Sequence, residues 1–202
     1  MSRNKAVYVT ALHMVLQLTA KCIQTGHTIN IIFVNSSQDL TNAIKTSERI
    51  LWLDYGTCLD TESFDHIFDP KLELLIYPAV KEGINWDAFK ENIKNGTKEP
   101  ISQAGLDFDT EVGKETGECE GMYTVKSSSP VVWVFDCKSV DKLRDRKGEG
   151  VKIPRDIPDF VKKCVEKGVK VRAYTKANVL VHYTHEAVGN ILEAVGITTK
   201  QA

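Results

Sequence analysis

The sequence predicts an α/β fold with a mostly parallel central sheet flanked by helices, and three observations carry that prediction. Short apolar runs alternate with longer stretches of helical spacing from residue 5 to residue 54. Runs such as "IIFV", "ILWL" and "VVWVF" are continuously apolar, the pattern of strands buried on both faces. The opening order is strand, helix, strand, helix, strand, which suits parallel strands joined by crossover helices.

Taken in order, "KAVYVTA" (5–11) is the expected first strand, and residues 13–26 are a helix carrying Met14, Leu16, Leu18 and Cys22 before a glycine stop. Residues 28–35 form the second expected strand. Residues 36–47 are a short helix behind a serine cap, and 49–54 the third strand. Residues 61–69 follow as a short helix stopped by Pro70, and 71–80 as a strand that Pro78 either ends or places at an edge. Residues 92–129 are rich in Gly, Thr, Ser and Glu and read as a loop-rich insertion around a short hairpin at "GMYTVKSS". A strand at 130–140, a basic loop and a helix at 157–168 come next. That helix has Pro158 near its start, an apolar stripe of Phe160, Val161, Cys164 and Val165, and Gly168 as its stop. A strand at 169–175, an extended run through "NVLVHYTHE" and a closing helix at 186–196 complete one expected domain over 1–202.

Bulk properties narrow the function classes. A formal net charge of −1 gives no whole-molecule basic field for nucleic acid or anionic membrane. No apolar run approaches the ~18–20 residues that span a bilayer, and the start lacks the apolar core of a signal peptide, so an intracellular, soluble protein is expected. Five scattered cysteines without a C-x-x-C pair indicate neither a disulfide framework nor a zinc knuckle. The glycine-rich dinucleotide fingerprint, the phosphate-loop lysine motif, G-x-S-x-G and H-E-x-x-H are all missing from the sequence.

In an open parallel sheet, ligands bind outside the carboxyl ends of the strands, which would bring Thr10, Asn35 and Asp54 to one crevice. Asp54 ends an apolar strand and is either a ligand of a hard cation such as Mg²⁺ or Mn²⁺, with Asp60 able to join it, or the start of a turn through Tyr55 and Gly56. His182 and His185 fall on opposite faces of an extended chain, so at most one faces a metal there. In "LDFDTEVG", Asp107, Asp109 and Glu111 alternate and would share a strand face, either as a source of a general base or as a solvated loop. Asp156 and Asp159 open the 157–168 helix, where carboxylates also suit the helix dipole. Lys81, Asn85 and Trp86 follow a strand and offer a phosphate partner and a face for a sugar or base, or simply a capping turn.

Three stretches in sequence order resemble the nucleotide-sugar glycosyltransferases of the GT-A fold, especially the family-2-like enzymes encoded by phages and large DNA viruses. "DLTNAIKTSERILWLDYGTCLDTESFDHIF" resembles their asparagine-bearing helix and the apolar strand that ends in Asp-x-Asp. "YPAVKEGINWDAF" is similar to a tyrosine-proline, lysine and Ile-Asn-Trp segment, and "DFVKKCVEKGVKVRAYTKANVLVHYTH" to their late helix, strand and histidine. The resemblance touches about half the chain. It implies a Rossmann-like GT-A fold and transfer of sugar from a nucleoside-diphosphate sugar donor to a glycan or glycoprotein acceptor, with Mn²⁺ or Mg²⁺ on the diphosphate. It places Asn42, Asp54 and Lys81 on the donor, beside the Thr10 and Asn35 that strand order brings there, Asp54 and His182 on the metal, and Asp156 as acceptor base; Asp109 and Glu111 of "LDFDTEVG" are rival bases on the residues alone. Gly56 stands where the second aspartate of the motif is expected. That departure leaves a second outcome open, a degenerate binding or virion structural protein.

Overall fold

The computed structural model describes residues 3–34, 36–54, 56–97, 104–144 and 157–181; within these, the side chains of residues 3–13 and of Ser37 are outside the description.

Arg3–Thr25 form one helix, α1, so the strand expected at 5–11 does not exist and Thr10 lies within α1 rather than at a strand end. Val7 and Val9 are weak helix formers, but the cost is a few tenths of a kcal/mol each. The buried stripe of Met14, Leu18 and Cys22, one residue every four, holds the helix to the core. Gly26, at φ +75°, ends it. The strand expected at 28–35 is also absent among the described residues: 27–34 belong to no helix or strand. The next helix, α2 (Ser37–Thr46), forms as its sequence indicates, with Ser36 Oγ accepting the Asp39 N–H and Leu40 and Ile44 turned inward.

The remaining elements are β1 (Arg49–Leu53), β2 (Thr57–Leu59), α3 (Phe64–Ile67), β3 (Leu74–Ile76), α4 (Trp86–Lys94), β4 (Thr110–Glu115), β5 (Met122–Ser128), β6 (Val132–Asp136), a 3₁₀ helix over Cys137–Leu143, α5 (Ile157–Glu166), β7 (Val171–Tyr174) and β8 (Val179–Val181). Six strands make one sheet in the order β1-β6-β3-β7-β5-β4, and β2 pairs with β8 in a separate two-stranded ladder. Within the six-stranded sheet β3 and β7 run parallel, and the other four pairings are antiparallel. The fold is α/β, but its sheet is mixed and largely antiparallel, not mostly parallel.

The apolar runs of β3 and β6 do report burial, because both faces of this sheet are covered; that of β1 is only half-buried at the sheet edge, and that of 29–34 lies outside the sheet with Ile31, Ile32 and Phe33 exposed. One face carries Leu75, Tyr77, Val132 and Val134 under Met14, Leu18 and Cys22 of α1 and Phe64 and Ile67 of α3. The other carries Leu74, Ile76, Trp133 and Phe135 under Leu40 and Ile44 of α2 and Phe160, Val161 and Cys164 of α5. Val165, expected in the apolar stripe of α5, is 45% exposed. The region read as a loop-rich insertion holds the end of α4 and a β4–β5 hairpin with register shifts near Val112. The closing helix expected at 186–196 lies outside the described residues.

Arg49 fastens β1 to the chain that leads into β3. Its guanidinium donates to the carbonyls of Ile67, Asp69 and Leu72, each at 2.8 Å. Those carbonyls close α3 and the following turn, so one side chain sets the spacing between the two strands that carry the candidate site.

Candidate functional site

The sheet end where β1 and β3 finish and β6 begins brings together two residues singled out by sequence, Asp54 and Asp109, with a third, Lys81, near enough to Asp109 to act on its charge. Asp54 follows β1 directly, and its N–H donates to the Val131 carbonyl at 2.9 Å. Its own carbonyl accepts from the Thr57 N–H at 3.1 Å and from Thr57 Oγ1 at 2.6 Å. Gly56, at φ +79°, occupies the third position of this tight turn, a conformation that favours glycine. Asp54 is therefore the residue that starts a turn, whatever further role its carboxyl has. Its carboxyl Oδ1 accepts from Trp52 Nε1 at 2.5 Å. Trp52 is two residues upstream on the same strand face, and its ring stacks on Trp133 with centroids 5.6 Å apart. Although Asp54 is solvent-exposed as a residue, the surrounding chain displaces enough water to push its carboxyl above the usual range, and the indole bond partly opposes that shift.

Asp109 sits on the other side of Val131. Its Oδ2 accepts the Val131 N–H at 3.3 Å, while Oδ1 accepts from the Ala79 N–H at 3.1 Å and from Thr110 Oγ1 at 2.8 Å. Its backbone also pairs with Ala79 and Ser129. The two aspartates thus grip one residue from its two sides: Asp54 through the Val131 carbonyl, Asp109 through the Val131 N–H. Asp109 is 7% exposed, and burial raises its pKa against the pull of these bonds and of Lys81. Lys81 itself is exposed, and its N–H donates to the Asp107 carbonyl at 2.8 Å.

Beside this group, Asn85 caps α4 by accepting the Ala88 N–H at 3.0 Å, and its Nδ2 donates to Asp107 Oδ2 at 3.2 Å. Trp86 is exposed and meets Phe89 edge-on. The shared face expected for Asp107, Asp109 and Glu111 does not form. Asp109 is buried, Asp107 faces Asn85, and Glu111 is exposed and paired with Lys126 at 2.8 Å. The strand begins only at Thr110 and shifts register after Glu111, which breaks the alternation.

Other expected residues are not gathered here. With Thr10 inside α1, the crevice of Thr10, Asn35 and Asp54 loses its stated basis, and Asn35 lies outside the described residues. Asn42 is exposed on α2, accepting from Gln38 Nε2 at 3.0 Å. Asp60 does not join Asp54. Its carboxyl accepts from the Ser63 N–H, Ser63 Oγ and the Asn178 N–H, which ties the β2–β8 ladder to α3. Asp159 is exposed in the first turn of α5; Asp156, His182 and His185 lie outside the described residues. Two contributors went unnoticed in the sequence, Trp52 and the Thr110–Ser128 hydroxyl pair at 2.7 Å. The strand period of two marks Trp52 as sharing the face of Asp54; nothing local marks the hydroxyl pair.

Among the described residues no group of three or more His, Cys, Asp or Glu side chains is placed to hold a metal ion. At Asp54 the described residues provide one carboxylate, with one oxygen already engaged by an indole, and this donor set does not by itself fit Mn²⁺ or Mg²⁺. No described helix is long and apolar enough to cross a membrane. Comparison with protein-family models, curated proteins and solved structures gives no match for this chain.

Proposed function

We propose that the chain is a glycosyltransferase that moves a sugar from a nucleoside-diphosphate sugar to a glycan or glycoprotein acceptor, on a variant of the GT-A plan. The observation that supports this reading is the meeting of Asp54 and Asp109 at Val131 at one sheet end, with Lys81 near enough to Asp109 to act on its charge. In this reading Lys81 offsets the charge of the diphosphate as it leaves. Asp54, with one oxygen held by Trp52, presents the other to the donor. The acceptor hydroxyl forms the new bond to the anomeric carbon, the bond from that carbon to the phosphate oxygen breaks, and a carboxylate takes the hydroxyl proton. Asp109 holds the loop that carries this end together. As the base, Asp156 is the assignment that remains, since the oxygens of Asp109 are committed to Ala79, Thr110 and Val131.

The test is calorimetry with UDP- and GDP-sugars, with and without Mn²⁺, coupled to an assay for released nucleoside diphosphate. Lys81→Ala removes a charge-assisted contact of ~1.5–3 kcal/mol, so donor binding should weaken about tenfold to a hundredfold. If neither donor class binds and no nucleotide is released under any metal condition, the reading is wrong.

A second reading, a binding or virion structural protein without transferase activity, is favoured by Gly56. Its left-handed φ stands where the resemblance expects a second aspartate. Donor binding without nucleotide release, across all acceptors and metals tried, would select it.

A further inference from the structure

Residues 28–34, "TINIIFV", carry no charge and much apolar surface, yet lie outside every element of the structure. Ile31 is 61% exposed, Ile32 50% and Phe33 86%. β1 stands at one end of the strand order, paired with β6 and leaving its other edge open among the described residues. An open edge of this kind presents unpaired N–H and C=O groups that accept a further strand.

The ends of the segment already pack on opposite faces of the sheet, each against a cluster that β1 side chains adjoin. Ile29 packs against the cluster that Leu51 and Leu53 adjoin, and Val34 against the cluster that Ile50 and Trp52 adjoin. Side chains five apart point to opposite faces of a strand, so this placement matches the period of an extended chain laid along β1. The connection back to β1, residues 35–48, contains α2, whose Leu40 and Ile44 lie on one face of the sheet. A parallel pairing needs a crossover of about a dozen residues or more, usually helical, and this connection provides one.

We propose that residues 28–34 are a strand-forming latch that adds, in parallel, to the open edge of β1 within the same chain. Closure covers Ile31, Ile32 and Phe33, extends the sheet by one strand, and brings Val34 to the sheet end that holds Asp54. The inference rests on packing and topology and is independent of the enzymatic reading.

Hydrogen exchange of the full chain, read by mass spectrometry across a range of protein concentrations, tests it. Amides of 28–34 should exchange about tenfold or more slower than free coil, independently of concentration. In a parallel edge strand alternate N–H groups face the neighbour, so one of Ile31→Pro and Ile32→Pro should lose this protection while the other keeps most of it. Coil-like exchange in the natural chain overturns the proposal. Protection that appears only at concentrations where a dimer forms also overturns it, because the occupant of the edge is then a second copy. Equal loss in both proline variants, with the rest of the exchange map unchanged, contradicts the strand register on which the latch depends.

Discussion

Removing the carboxyl of Asp109 should loosen the end of the sheet more than its position in a connecting segment suggests. In Asp109→Ala the N–H groups of Ala79 and Val131 lose their acceptor, while the Thr110 hydroxyl keeps Ser128 Oγ at 2.7 Å. A buried donor left unmet costs ~1–3 kcal/mol, and relief of the buried charge returns part of that, so a net loss of roughly 2–4 kcal/mol is expected. With a urea dependence of about 2 kcal/mol per molar for a chain of this size, the unfolding midpoint should fall by ~1–2 M. The pH dependence supplies a second readout with a fixed sign. Burial raises the folded-state pKa of Asp109 above its ordinary value, so the native state holds this proton more tightly than the unfolded chain does. Its contribution to stability is therefore greatest in acid and falls as pH rises from the ordinary aspartate pKa through the raised native one, then levels off. Asp109→Ala should remove that component of the slope. A midpoint shift under ~0.3 M, or an unchanged pH profile between the two proteins, would refute the view of Asp109 as a buried clamp.

Arg49→Met leaves three carbonyls without their donor, and because water reaches this half-buried site the net cost should be ~2–4 kcal/mol, lowering the thermal midpoint by roughly 5–15 °C by calorimetry. Arg49→Lys should recover less than half, since an ammonium lacks the fork that reaches all three. Gly56→Asp, which restores an Asp-x-Asp spelling, forces a side chain into φ +79°; it should cost ~1–2 kcal/mol in urea unfolding and leave Mn²⁺ affinity no higher than in the natural chain. The buried thiols of Cys137 and Cys164 are each pushed up to about 12 by burial, so neither should react with a disulfide reagent at pH 8 until the protein unfolds, while the half-buried Cys119 labels first.

What was legible in the sequence was mostly what nearby residues decide. The Ser36 cap, the α2 helix and the Gly168 stop at φ +76° depend on contacts a few positions away and are found as written. The apolar runs of β3 and β6 announced burial on two faces but not strand direction, because either kind of sheet can be covered on both sides; β1, equally apolar, is a half-buried edge. Val7 and Val9 looked like a strand in a short window; the helix that carries the four-residue stripe of Met14, Leu18 and Cys22 runs upstream to Arg3. Asp54 and Lys81 were recognisable at strand ends. Asp109 was recognisable as an acid, but not as a clamp, since Ala79 and Val131 reach it from 30 and 22 residues away. The candidate site is in this sense half local and half long-range.

The place of β7 has a consequence for how the protein is made. Val171–Tyr174 is nearly the last strand in the described chain, yet it sits inside the sheet, parallel to β3 on one side and antiparallel to β5 on the other. Until a ribosome has released those four residues, the β4–β5 hairpin has no ladder to the β1-β6-β3 half. Two unfinished edges then wait side by side in the nascent chain, each able to pair with the wrong strand or a neighbouring copy. Assembly of the sheet is in effect a closing step, and the interval before it is when the chain most needs a chaperone.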